Sequence, residues 1–291
     1  MQEQEIDEKE FKALVSLLED EDAEVSRHVE EKIMSLGNKI IPFLEEQWEN
    51  SFDPTIQRKI EDMIHTLQFD QLKERLVEWK ENGAKSLMEG MWLVSTYQYP
   101  DISLEDLKAD IDQVYYKIWT ELQDGLHPYD IIKIINSALF QGMRFRANTK
   151  NFHSPNNSFL KSVLESKKGN PISLSVVYLL IAEKLGLPLY GVNLPNLFIV
   201  TYKTDDLQFY INAFNRGLIF SKKDIDNFIA NLNLTPKDAY YQPCTNEDII
   251  KRVLRNLIMA YDKLDEHEKS EEVKALLVAM QGGIDYDALG I

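Results

Sequence analysis

The sequence predicts an α+β protein, mainly helical, with one small antiparallel sheet. Three observations carry that expectation. Apolar residues recur at steps of three and four over most of the chain, the period changes to two between Leu189 and Ile211, and the early part repeats itself.

The repeat is read by direct superposition. Asp22, Val25, Arg27, Val29, Ile33 and Leu36 recur as Asp53, Ile56, Arg58, Ile60, Ile64 and Leu67, a period of 31 residues. Each copy reads as a helix with one apolar face, and its Asp stands where a carboxylate accepts from the unpaired N–H groups of a first turn. Ile40, Ile41, Leu44 and Trp48 follow the first copy, and Leu72, Leu76 and Trp79 the second. Two helices per unit, stacked as a short arm over residues 1–82, are therefore expected. The pattern resembles HEAT-type repeats; an unrelated helical bundle with the same periodicity is the alternative.

Glu81-Asn82-Gly83 marks the first boundary, being polar and ended by a residue that tolerates left-handed backbone. Ser103-Leu104-Glu105-Asp106 is a capping box with Asp in place of Glu, followed by the helical stripe Leu107, Ile111, Val114 and Ile118. A second helix is indicated by Ile131, Ile132, Ile134, Ile135 and Leu139. Residues 197–202 and Leu207, Phe209 and Ile211 alternate as strands about the turn-prone Lys203-Thr204-Asp205-Asp206, giving a hairpin. Ile249, Ile250, Val253, Leu254, Leu257, Ile258 and Tyr261 resume helix, and Val273, Leu276, Leu277 and Met280 close a final pair. The expected division is 1–82, 83–242 and 243–291.

Composition bounds the partners. The chain has 291 residues, 44% of them hydrophobic, enough to bury real cores. Forty-eight acidic against 32 basic residues give a charge of −16, which repels nucleic acid and anionic membrane surfaces. The apolar run at 172–182 is too short to cross ~30 Å of hydrocarbon. The acidic MQEQEIDEKEF lacks the pattern of an export signal, and the one cysteine, Cys244, suits a reducing cytoplasm, where the protein is expected. His28, His65, His127, His153 and His267 show no metal-ligand spacing, so neither metal nor cofactor is expected.

The centre of the chain carries a resemblance. Residues 136–140, Phe145, Asn157-Ser-Phe-Leu160, Val163-Leu164, Gly169-Asn-Pro-Ile-Ser-Leu-Ser175, Leu185-Gly-Leu-Pro188, Gly191-Val192 and Leu194-Pro195 resemble, in order and spacing, the SirB-type branch of the transglutaminase-like superfamily. Leu254-Arg-Asn-Leu-Ile258 with Tyr261 is similar to the tetratricopeptide-type helical pair that this branch carries at its end. The resemblance implies a transglutaminase/papain-like core flanked by helical-repeat arms. It also implies a cysteine nucleophile at a helix start, a histidine on the next strand and an acid on the one after. A helix N-terminus favours thiolate, the histidine moves the proton, and the acid orients the imidazole.

This core is degenerate. The nucleophile position falls on Pro171, which Asn170 and the N1 preference of proline explain as a helix start. Where the branch shows Pro-Gly-His-Phe the chain has Pro195-Asn196-Leu197-Phe198, so the histidine position holds Leu197, expected to be mostly buried. Where it shows Ile-Asp-Pro-Phe-Asn the chain has 211–215 with Asn212 in place of the acid. The branch commonly lacks the cysteine while keeping the other two; here all three are replaced. Cys244 has no histidine near it in sequence and reads as an incidental thiol, Ser173 and Ser175 read as capping or packing groups, and His153 lies in a polar connection near the expected cleft mouth. As ligand contacts the sequence offers Asn193, Asn196, Asn212, Asn215 and Ser173 at one edge of that cleft, although asparagine is also simply common in turns. The expected function is a non-catalytic module binding a protein or peptide. A hydrolase or peptidase with an unrecognised site in the same cleft, and a purely structural scaffold, stand as alternatives.

Overall fold

Asp22 starts the first repeat unit by accepting from Glu24 N at 2.8 Å, and Asp53 starts the second by accepting from Thr55 N at 2.7 Å. These equivalent caps open helices in a computed structural model that describes residues 8–19 and 22–283. Two compact units divide the chain at residues 75 and 76. The first holds α1 (Glu8–Ser16), α2 (Ala23–Ser35), α3 (Ile41–Asn50) and the beginning of α4 (Pro54–Glu81). Its core gathers Phe11, Val15, Val29, Ile33, Ile40, Leu44, Ile60 and Leu67, so one face of both copies of the repeat is buried. Trp48 instead lies at the surface, donating from Nε1 to Glu61 Oε1 at 2.9 Å. The two helices expected over 53–79 are one unbroken helix of 28 residues. Gln68-Phe69-Asp70-Gln71, between the two apolar stripes, contains neither Gly nor Pro, so nothing interrupts the ladder. The helix ends at the Glu81-Asn82-Gly83 boundary with Gly83 at φ +88°.

The second unit takes in the end of α4 and continues with α5 (Leu87–Thr96), absent from the sequence reading because its buried residues surround the helix and leave no amphipathic stripe. Next comes α6 (Leu104–Trp119), capped by Ser103, whose Oγ accepts from Asp106 N at 3.0 Å; it buries the stripe Leu107, Ile111, Val114 and Ile118. Then α7 (Pro128–Asn136) runs into a π-helical turn over Ser137–Gly142. Two short parallel strands, β1 (Arg146–Ala147) and β2 (Lys168–Gly169), bracket α8 (Leu160–Ser166) and lead into α9 (Pro171–Lys184). Residues 172–182, the apolar run of the sequence, are all buried along α9, which forms the centre of the unit. No described helix is long and apolar enough to cross a membrane.

Against α9 lies a four-stranded antiparallel sheet of β3 (Leu189–Leu194), β4 (Leu197–Lys203), β5 (Gln208–Asn212) and β6 (Leu218–Phe220), in that order. The predicted hairpin is β4 and β5, with Thr201 opposite Tyr210. Leu194 faces Leu197 across a two-residue turn of Pro195 and Asn196, the latter at φ +57°. Proline first and asparagine second suit a turn with left-handed backbone at its third position. Gly217, at φ +74°, precedes β6 where a Cβ would strike the side chain of Asn136, itself bonded to Gly217 O at 2.8 Å. The described residues end with α10 (Lys222–Asn231), α11 (Asn246–Lys263) and α12 (His267–Met280).

Candidate functional site

A cavity of about 210 Å³ opens where four segments meet: the connection around residues 152–158, the start of α9, the β3–β4 turn and one face of α11. Local hydrogen bonds fix each wall. Asn157, nearly wholly buried, donates to the carbonyls of Asn151 and Phe152 and accepts from Asn148 Nδ2, which shapes the connection. At the start of α9, Asn170 Oδ1 accepts from Ser173 N at 2.9 Å while Ser173 Oγ accepts from Asn170 N at 3.0 Å, a reciprocal cap. Asn170 Nδ2 donates to Ser158 Oγ at 2.9 Å, tying the two walls together. Gly169 has no room for a side chain, since a Cβ there would collide with Ser173 Oγ.

Pro171 and Leu197, 26 positions apart in the chain, both line this cavity. Leu197 is only partly buried, against the expectation that it would be mostly covered, because the open space lies beside it. Asn212 does not line the cavity; its Oδ1 accepts from Asn215 N at 3.1 Å in a local turn.

The ligand contacts expected from sequence do not converge. Asn196 lines the cavity and is exposed. Asn193 accepts from Arg252 Nη1 at 3.1 Å, so it acts behind the wall. Asn212 and Asn215 do not line the cavity, the Asn212 side chain accepting from the Asn215 backbone N–H instead, and Ser173 is buried with its hydroxyl committed to the cap. Ser175 is also buried, donating to Pro171 O at 2.8 Å. His153 does stand at the cavity, exposed on its wall.

The sequence reading missed the α11 wall altogether. Arg252, Asn256, Met259 and Ala260 line the cavity from one face of that helix, at the steps of three and four that make such a face. Burial holds the half-buried Arg252 guanidinium below its ordinary range, and the neighbouring charge of Arg255 adds to the effect.

Cys244 lies outside the cavity lining, with its N–H donating to Gly191 O at 2.8 Å. Burial first, and the charge of Asp248 second, push its thiol up to about 12, so it is protonated at neutral pH and poorly nucleophilic. Among the described residues no group of three or more His, Cys, Asp or Glu side chains is placed to hold a metal ion.

Comparison with known proteins adds ancestry to this geometry. The family model described as the transglutaminase-like superfamily matches residues 105–255, just over half of the chain. A UPF0162 protein of Xylella fastidiosa strain Temecula1 is 29% identical over 192 residues, covering 63% of this chain and 68% of that protein. The human F-box only protein 21 is 27% identical over 204 residues, 60% of this chain but only 32% of that longer protein. The Escherichia coli UPF0162 protein YchA is 25% identical over 185 residues, 63% of this chain and 67% of its own length. No solved structure matches.

Proposed function

The chain belongs to the transglutaminase-like superfamily, and we propose that within it this protein is a non-catalytic member that binds a protein or peptide segment. The observation that carries the reading is the cavity at the start of α9: it is open, yet a proline and a leucine line it where the superfamily's nucleophile and proton carrier would stand. Neither side chain can attack a carbonyl or move a proton. The thiol of Cys244 is outside the cavity and held protonated by its burial. At about 210 Å³ the space is smaller than the ~300–1,000 Å³ of most cofactor and drug-sized sites, and suits one side chain or chain end.

The finer placement belongs to the same proposal. The motif order supports the SirB-type branch, the superposable capped units support a HEAT-like arm over 1–82, and the helical pair of α11 and α12 supports a tetratricopeptide-like segment from 243. Because α11 supplies a wall of the cavity, the segments 83–242 and 243–291 act together in this reading. The single cysteine and acidic composition favour a cytoplasmic setting.

A hydrolase or peptidase with its site in the same cleft is the second reading, favoured by His153, Ser154 and Ser158 on the cavity walls. Against it, no hydrogen bond joins either serine to His153 among the described residues, and Ser158 Oγ accepts from Asn170 instead. Peptide and amine-donor substrates offered to the purified chain decide between the two. No turnover is expected, while pooled peptides should shift the amide resonances of residues 170–172 and 196–198, and Leu197→Trp, which fills the cavity, should abolish those shifts. Turnover, or peptide shifts that survive Leu197→Trp, overturns the proposal.

A further inference from the structure

Although the chain carries 48 carboxylate side chains, the fourteen residues that line the cavity include none, where the chain's average would place about two. What the lining does include is one guanidinium, Arg252, the imidazole of His153, the amides of Asn170, Asn196 and Asn256, and two serines. Arg252 is half-buried, meets no carboxylate among the described residues, and makes a single hydrogen bond, to the neutral Asn193 Oδ1. Guanidinium groups withdrawn from water are ordinarily paired with an anion, because five N–H donors in a fixed fork match a carboxylate two at a time. The charge that acts on Arg252 is that of another cation, Arg255.

Asn193 holds one nitrogen of the fork, and no other described group accepts from the remaining donors of this cavity-lining side chain. Ser158 Oγ, almost fully buried, accepts from Asn170 Nδ2 and has no acceptor for its own proton among the described residues. Two exposed apolar side chains, Phe152 at 46% and Met259 at 57%, line the same cavity beside the exposed His153 and Asn196. An acid-free, largely apolar cavity with one half-buried cation in its wall is complementary to a ligand that has an anionic end and a short hydrophobic flank.

We infer that the cavity binds a free carboxylate carried beside an apolar group, with Arg252 as its counter-ion and Phe152 and Met259 as its apolar contacts. This rests on the peptide-binding reading above and narrows it to a peptide C-terminus. A free carboxylic acid has the same chemistry, so the probes must separate the two sources.

The test is a nuclear magnetic resonance titration of the full chain with four probes: N-acetyl-Gly-Leu as the free acid, N-acetyl-Gly-Leu amide, isovalerate and inorganic phosphate. The acid peptide is expected to shift resonances of residues 170–172, 196–198 and 252–260 with a Kd at least tenfold tighter than the amide or phosphate, a preference equivalent to about 1.4 kcal/mol. Arg252→Gln, which keeps a donor for Asn193, should remove that preference, with an unchanged thermal midpoint showing that the variant folds. Should Arg252→Gln fail to fold, Met259→Ala, at an exposed position, should weaken the acid peptide severalfold. Acid and amide binding equally well at the cavity would overturn the carboxylate inference while leaving the peptide reading intact. Isovalerate binding as tightly as the acid peptide would uphold the carboxylate and overturn the peptide source. No shift at the cavity with the acid peptide would overturn the inference.

Discussion

At the start of α9 the polar groups bond to one another, Asn170 to Ser173 in both directions and to Ser158 across the gap, whereas on the facing α11 wall Arg252 has a single neutral partner and an open side. In the proposed reading the first wall stands where the superfamily's chemistry would be, and its Asn170 and Ser173 groups are spent on the helix cap. The second lines the cavity with Arg252 and Asn256, and of the Arg252 donors only one has a partner among the described residues. If the proposed reading holds, a site can lose its reaction and keep its cavity, because the two properties sit on different helices. Stability should therefore concentrate at α9 and recognition at α11, and variants can separate them.

The largest effect is expected at Asn170. Replacing it with Ala removes the cap of Ser173 N, the partner of Ser158 and a side chain that is only 6% exposed. Loss of an N-cap costs about 1 kcal/mol and an orphaned buried polar group about 1–3, so Asn170→Ala should lose roughly 2–4 kcal/mol in chemical denaturation. A loss below ~0.5 kcal/mol would show that the α9 wall is held by packing alone, and the contrast between the walls would fail.

How much of this was legible in the sequence follows the range of the forces involved. Asp22, Asp53, Ser103 and Asn170 were readable as caps because a cap is decided within three residues. The β4–β5 hairpin was readable because alternation and turn chemistry are local too. The continuity of α4 was obscured by a pause in apolar residues over 68–71, which interrupts the stripe without breaking the helix. The asparagines do not share one wall because strand position fixes which side an amide faces, and Asn193 bonds to Arg252 while Asn212 turns back on its own loop. Arg252 itself could not be picked out: an arginine beside the apolar stripe of α11 looks solvated until the fold places the β3–β4 turn and the start of α9 across from it.

A smaller effect sharpens the comparison at the entrance to α11. Cys244 is held at about 12, while a thiol in the unfolded chain ionises near 8.5. Below about pH 8 both states keep the proton and the residue adds no pH dependence. Between those two values the unfolded state releases a proton that the folded state retains, so stability falls as pH rises, by about 2 kcal/mol at pH 10. Denaturation midpoints of the wild type and Cys244→Ala, compared at pH 8 and pH 10, should show the wild type falling more steeply by about 1–2 kcal/mol. Parallel slopes would mean that the thiol is solvated and reactive.

The smallest expected effect on stability comes from Pro171→Cys, which places a thiol at the position that the proposed reading equates with the superfamily's nucleophile. Proline at the first helical position limits the unfolded chain and forgoes an N–H that has no helical partner, so its loss should cost about 0.4–1 kcal/mol. A helix N-terminus lowers a thiol pKa, and the introduced group should react with iodoacetamide faster than Cys244, as mass spectrometry of the two labelled peptides would show. Acyl transfer should still be absent, because the side chain across the cavity is Leu197, which carries no proton, and Asn212 is turned into its own loop. Adding Leu197→His supplies the proton carrier and tests whether the wall has lost only side chains or also the geometry that aligned them. Turnover in the single variant would name another base, and His153 is the imidazole already on that cavity. In that event the α9 wall would have to be regarded as one substitution short of chemistry, and the division of labour between the two helices would have to be abandoned.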